Sequence, residues 1–266
     1  MAARVVRISI APVKSLGLVH PDEVELGERG VAGNRRFWLV DRDRRLVNNK
    51  RNGPLVRIRP DWDEQTRELA LTFPDGTRVA GMVELDAEPF EVQMYGYSLA
   101  SRRVFGPWQA AISTYAGESL TLLWAEEGAP DRLYAGSASV VSRESLARLA
   151  EETGQHELDG RRFRMLFEIA GVRAHEEDEW QGTHVRVGEA TIQVNGDVGR
   201  CAVTTHDPDT GVPTVDTLKA LARYRREGRQ EPLPFGVYAS VVVPGRVRVG
   251  DEVLPTQERL IATSLS

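Results

Sequence analysis

The sequence predicts a β-rich α+β fold, a barrel of short strands carrying a few peripheral helices. Three observations carry that reading. Short apolar or alternating runs recur between turn residues along nearly the whole chain. Only three segments show helical spacing. No strand–helix–strand alternation marks a parallel sheet.

Arg4 to Ala11 alternates apolar and polar residues, as a half-buried strand does. Phe37 to Val40 and Leu55 to Ile58 are short apolar runs, read as strands. Glu68 to Phe73 and Thr77 to Ala80 flank Pro74-Asp75-Gly76, a hairpin signal because glycine tolerates positive φ. Leu120 to Ala125, Thr183 to Val187, Ala190 to Val194, Tyr238 to Val243 and Arg246 to Val249 complete the expected strands. Trp108 to Tyr115 reads as a short helix. Ser142 caps a second one running to Thr153, with Gly154 as its stop. Thr214 is the expected cap of a third, reaching Arg226, with Leu218, Leu221 and Tyr224 as its apolar stripe. Gly117 interrupts the pattern, so a division into residues 1–117 and 118–266 is expected.

The 266 residues are 41% hydrophobic and 27% charged, with a net charge of −5. That is enough chain for a sizeable core, and the charge argues against a nucleic-acid partner. No apolar run approaches the roughly 20 residues a membrane span needs. Val5 to Val13 is closed early by Pro12 and Lys14, with no small-residue cleavage site after it, so no signal peptide is expected. Cys201 is the only cysteine. An internal disulfide is therefore impossible, and a reducing cytoplasmic location is expected. A cysteine-rich zinc site and a self-contained iron–sulfur cluster are excluded by the same count.

Familiar motifs are missing. There is no GxxxxGK[ST], GxGxxG, GxSxG or HExxH. The five histidines form no ligand-spaced cluster, and Glu176-Glu177-Asp178-Glu179 reads as a solvated loop.

GRCAVTTHDPDTG, Gly199 to Gly211, is the most informative stretch. Asp207-Pro208-Asp209-Thr210-Gly211 specifies a turn, so Cys201 sits near a surface loop. Arg200 beside it favours the thiolate, the form that attacks or ligates. Three readings of Cys201 stand at this level: a small apolar filler, a nucleophile paired with His206, or a soft-metal ligand. One thiolate does not hold a metal alone, so such a metal would arrive with other ligands. Pro12-Val13-Lys14-Ser15, Asn34-Arg35-Arg36-Phe37-Trp38 and Gly160-Arg161-Arg162-Phe163-Arg164 each place basic groups at a strand end. They fit a site for a phosphate-bearing cofactor, or equally an arginine-rich surface.

PVKS, GNRRFWLV, GRRFR, EEDEW and GRCAVTTHDPDTG occur in that order. The ordered set resembles the MOSC family, named for the molybdenum cofactor sulfurase C-terminal domain. The N-terminal half is similar to the β-barrel region that precedes MOSC in the group of the mitochondrial amidoxime-reducing component. The resemblance covers nearly the whole chain. It implies a MOSC-type β-barrel and a molybdenum–molybdopterin cofactor (Moco) whose metal takes two dithiolene sulfurs, oxo groups and one cysteine, here Cys201. Cofactor contacts carried over residue by residue are Lys14, Ser15, Arg36, Ser137, Arg164, Gly199, Arg200 and Tyr238. The implied activity is reduction of an N-hydroxylated or N-oxide small molecule. Electrons would come from a separate ferredoxin, flavoprotein or cytochrome-type donor. Two other roles travel with the family: a sulfur carrier or transferase holding a persulfide on Cys201, and cofactor storage or delivery. Pyridoxal phosphate, bound by sulfurases fused to such domains, is not expected on this chain. The relatives usually read RFRPN, whereas Met165 and Leu166 follow Arg164 here; they also carry Ser-Pro where Gly136-Ser137 stands.

Overall fold

The computed structural model describes residues 2–94, 97–126 and 133–259. Its largest sheet has seven strands, in the spatial order Arg4–Ile8, Phe167–Ala170, Ala138–Ser142, Pro234–Val243, Ala190–Gly199, Thr183–Val187 and Val253–Arg259. Neighbours are antiparallel except Ala138–Ser142 with Phe167–Ala170. The sheet curls until its edges meet. Val5 N donates to Asp251 O at 2.9 Å, Gly250 N to Val5 O at 2.7 Å, and Val253 N to Ala3 O at 2.8 Å. Those bonds occupy backbone groups that an open edge would leave unpaired. Val5, Ile8, Val140, Phe167, Ile169, Val185, Ile192, Val194 and Val237 fill the interior. The alternation of buried and half-buried residues along Ala190–Gly199 is the period of two that the sequence pattern called for.

A four-stranded sheet orders Phe37–Val40, Thr121–Ala125, Ser101–Phe105 and Glu84–Pro89. A three-stranded one holds Arg59–Asp63, Glu68–Thr72 and Arg78–Met82. They share a core of Leu16, Phe37, Leu39, Leu69, Trp108 and Leu122. Phe37–Val40 is buried on both faces, which is why it reads as an unbroken apolar run. The halves exchange strands. Arg4–Ile8 belongs to the large sheet, while Thr121–Ala125 pairs with Phe37–Val40. The chain therefore crosses between the halves on either side of residue 117.

Helices occupy Trp108–Ala116, Arg143–Thr153 and Thr217–Tyr224 among the described residues. Ser142 Oγ accepts from Ser145 N, and Gly154 ends that helix in the left-handed region, as the sequence predicts. The third helix differs: Asp216 is its cap, accepting from Lys219 N at 3.0 Å. Thr214 instead accepts from Arg162 and bonds back to Thr205, so tertiary contacts keep it outside the helix. Leu55 to Ile58 is not a strand. Gly53–Arg57 forms a 3-10 turn with Pro54 at its start, burying Leu55 and Ile58 three residues apart. The acidic run is likewise no solvated loop. Glu177 is fully buried and accepts from Ser142 N, Ser142 Oγ and Ser145 Oγ at 3.1, 2.9 and 2.7 Å.

Candidate functional site

The turn after the first strand sets the site. Val13 pairs in parallel with Phe37, and Lys14 N donates to Phe37 O at 2.7 Å. This lays Pro12-Val13-Lys14-Ser15 beside Arg35 and Arg36. Lys14 and Ser15 are both buried. Ser15 holds φ of 79°, with its hydroxyl donating to Val47 O at 3.1 Å and its carbonyl accepting from Asn49 Nδ2. Arg35 and Arg164 share this left-handed backbone, at φ of 54° and 52°. Such conformations cost about 1–3 kcal/mol each and persist where the surrounding structure enforces them.

The three arginines of Gly160-Arg161-Arg162-Phe163-Arg164 divide their work. Arg161 grips Asp209 with two bonds of 2.8 Å, pinning the Asp207–Gly211 turn. Arg162 donates to Thr205 O at 3.1 Å and Thr214 Oγ1 at 2.8 Å, fixing the loop after Cys201. Burial lowers its pKa. Arg164 donates to Leu16 O at 2.8 Å, joining the two halves. Arg36 donates to Ala125 O and Glu126 O at 3.2 and 3.0 Å and lies over the Trp124 ring.

The long strand Ala190–Gly199 delivers Gly199, Arg200 and Cys201. Gly199 is required: a Cβ there would sit 2.9 Å from Glu231 side-chain atoms. Arg200 donates to Phe235 O at 2.8 Å, Phe163 O at 3.1 Å and Met165 Sδ at 2.9 Å, and lies over the Phe163 ring. Cys201 is exposed, so the buried-filler reading falls. Its carbonyl accepts from Thr204 N and Thr204 Oγ1, both at 3.1 Å.

These segments enclose a cavity of about 620 Å³. Lys14, Ser15, Arg36, Ser137, Arg164, Gly199, Arg200, Cys201 and Tyr238 all line it, so the contacts carried over from the family resemblance meet in one place. Reasoning from sequence missed Arg29, Arg35, Asn48, Asn49 and Arg162, which line it too. Arg35 and Arg162 stand beside named residues within the same motifs. Arg29, Asn48 and Asn49 carry no local signal. The lining includes one lysine and six arginines against Glu28 and Glu126, a strongly cationic surface inside an acidic protein. The Nε atoms of Arg36 and Arg162 are buried without hydrogen-bond partners among the described residues. His206 lies elsewhere. It lines a neighbouring cavity of about 260 Å³, and burial and then the Arg162 charge lower its pKa. No three His, Cys, Asp or Glu residues gather at ion-binding distance among the described residues. Cys201 therefore belongs to no three-residue metal-ligand cluster there.

A basic cavity, orphaned arginine donors in its wall and one exposed thiol fit an anionic cofactor that brings most of its metal's ligands with it. Barrel, cavity and thiol define a β-barrel protein with a cationic, thiol-bearing pocket, and the comparisons name the family. The MOSC domain matches residues 101–254 and the MOSC N-terminal beta barrel domain residues 2–115; the chain belongs to the MOSC family. It is 32% identical over 278 residues to mitochondrial amidoxime-reducing component 1 of Mus musculus, covering 94% of this chain and 81% of that protein. It is 24% identical over 280 residues to a molybdenum cofactor sulfurase of Anopheles gambiae, covering 90% of this chain and 34% of that protein. The crystal structure of the YUAD protein from Bacillus subtilis aligns over 97% of this chain and 98% of that one, at a TM-score of 0.49 and 12% identity. At family level these relatives point to a function related to the molybdenum cofactor. No helix among the described residues is long and apolar enough to cross a membrane.

Proposed function

We propose that the protein is a molybdenum-cofactor-dependent oxidoreductase that reduces N-hydroxylated or N-oxide small molecules. The observation that carries this reading is the convergence of nine residues from separate segments on one cationic cavity bearing the chain's sole thiol. Kinship with amidoxime-reducing components supports the substrate class. Cys201 would be the protein's ligand to molybdenum. Lys14, Arg36 and Arg164 would hold the pterin phosphate, Ser15, Ser137 and Tyr238 would add hydrogen bonds, and Gly199 would contribute its backbone. Arg200 acts through the backbone, bracing the Cys201 strand against Phe163 and Phe235.

When bound, the cofactor supplies the two-electron redox centre; the residues here position and exclude. The balanced reaction takes an N–OH group, two electrons and two protons to N–H and water. Kinship with amidoxime-reducing components supports assigning the electrons to a separate ferredoxin, flavoprotein or cytochrome-type donor.

Molybdenum and pterin content of protein expressed with cofactor supply, in wild type and Cys201→Ala, tests the reading. Metal should fall steeply in the variant. The wild type should reduce an amidoxime with a chemical electron donor. Equal molybdenum in both proteins would overturn the ligand assignment, and a fully loaded but inactive wild type the reaction.

A further inference from the structure

The main cavity has a polar neighbour that the proposed chemistry has not used. Ile10 pairs with Val19 as the chain turns back on itself, and this brings His20 against Ser9. Ser9 is buried and lines the Cys201 cavity. His20 lines the smaller cavity on the other side. His20 Nδ1 lies 3.1 Å from Ser9 Oγ and 3.2 Å from Ile8 O. Ser9 N donates to Leu166 O at 2.8 Å, which fixes the serine backbone. One hydrogen bond therefore connects the two cavities through a titratable ring.

We infer that His20 and Ser9 form a proton-delivery pair feeding the Cys201 cavity from the smaller one. This rests on the reductase reading, whose reaction consumes two protons. In each passage the His20 Nδ1–H bond breaks as Ser9 Oγ takes that proton, while the hydroxyl's own proton leaves Oγ into the main cavity. The ring is left neutral with its remaining proton on Nε2; rotation of the exposed side chain then turns the bare Nδ1 to solvent, where it takes a proton from hydronium, and the return swing restores the bond to Ser9. One proton enters, one leaves, and no electron moves.

The charges around the ring suit a donor. Arg7 and Arg161 lie near it, opposed by Asp159, with Arg59, Arg164, His206 and Asp207 on the smaller cavity's wall. Enclosure of the Nδ1 side lowers the His20 pKa, the Ile8 carbonyl pulls the other way, and Arg7 and Arg161 lower it further. A weaker imidazolium releases its proton more readily.

The test pairs kinetics with a titration that needs no turnover. His20 resonances are followed against pH in wild type and Ser9→Ala, and amidoxime reduction is profiled in wild type, His20→Gln, Ser9→Ala and Ser9→Thr. The ring's titration midpoint should move in Ser9→Ala. His20→Gln and Ser9→Ala should lose about 100-fold in kcat, the low end of the usual span for a proton donor, with KM little changed. Ser9→Thr, which keeps a hydroxyl, should retain most activity, and added imidazole should restore His20→Gln in part. An active wild type whose variants keep kcat and pH profile would sink the pair while leaving the reductase reading intact. A loaded wild type inactive on every N-hydroxylated substrate fails the reductase reading instead, and an unmoved His20 titration in Ser9→Ala then overturns the coupling independently.

Discussion

Gly53 and Gly211 meet backbone to backbone across the two halves of the protein. A Cβ on Gly211 would lie 2.0 Å from Gly53 O, and one on Gly53 would lie 2.0 Å from Gly211 O. Gly211 also holds φ of 74°. The turn following Cys201 is thus seated on the 3-10 turn that starts at Gly53, and Arg161 clamps it there through Asp209.

Gly211→Ala follows directly. Alanine adds both left-handed strain and a backbone clash that no flexible side chain can relieve. The variant should lose about 2–4 kcal/mol in urea unfolding. Gly76→Ala is the control, because a Cβ there meets nothing within 4 Å although φ is 87°. It should cost only the conformational part, about 1 kcal/mol.

Glu177 gives a second prediction. Its carboxylate accepts three hydrogen bonds from Ser142 and Ser145 at the start of the helix Arg143–Thr153. Glu177→Ala leaves those donors buried without an acceptor and should cost about 2–5 kcal/mol. Glu177→Gln retains shape and most bonds and should cost under about 1.5 kcal/mol. Burial raises the carboxyl pKa, against the Ser145 hydrogen bond. A folded value above the unfolded one means stability present at low pH and lost as pH rises through the folded value. The urea midpoint of wild type relative to that of Glu177→Gln should fall as pH rises from 4.5 to 8, which isolates the Glu177 contribution.

Much of the candidate site was legible because its residues sit at strand ends beside short basic motifs. Lys14, Arg36, Arg164 and Cys201 are placed by strand starts and turns whose local chemistry a sequence displays. Asn49 and Arg29 depend on loops brought in by contacts far along the chain, such as Asn49 Nδ2 to Ser15 O. Glu177 was misjudged for the same reason, its partners lying over 30 residues earlier. Leu55 to Ile58 shows the ambiguity of three apolar residues broken by Arg57, where period two and period three are both arguable. The start of the third helix lies later than expected because Arg162 and Thr205 claim Thr214.

His175 sets the opposite pH trend. Burial, then the Arg225 and Arg148 charges, push its pKa down to about 4. The unfolded imidazole titrates near its ordinary value of about 6.5. Below that value the unfolded chain binds a proton that the fold resists, so stability is full above it and is lost as pH falls toward 4. His175→Asn keeps a neutral side chain that tolerates the φ of 62° and removes this acid slope. Its urea midpoint should change less than that of wild type between pH 7 and 4.5. His175 N donates to Ser145 Oγ at 2.7 Å, so its effect should not add simply to that of Glu177→Gln.

The last prediction concerns the departure from RFRPN. Met165 and Leu166 both line the cavity, yet they serve different cores. Met165 packs with Phe163 and Phe235 and accepts from Arg200 Nη2. Leu166 packs inside the large barrel with Phe167 and Ile169, its N–H donating to Ser139 Oγ at 2.9 Å. Leu166 is 3% exposed, so restoring the family's asparagine buries an amide among aliphatic neighbours. Leu166→Asn should therefore cost about 2–4 kcal/mol by urea unfolding. Met165→Leu, which conserves volume but removes the sulfur acceptor, should cost under about 1.5 kcal/mol. If Leu166→Asn proves as stable as wild type, the side chain turns toward the cavity rather than the barrel, and the apolar pair is a feature of the site wall rather than of the core.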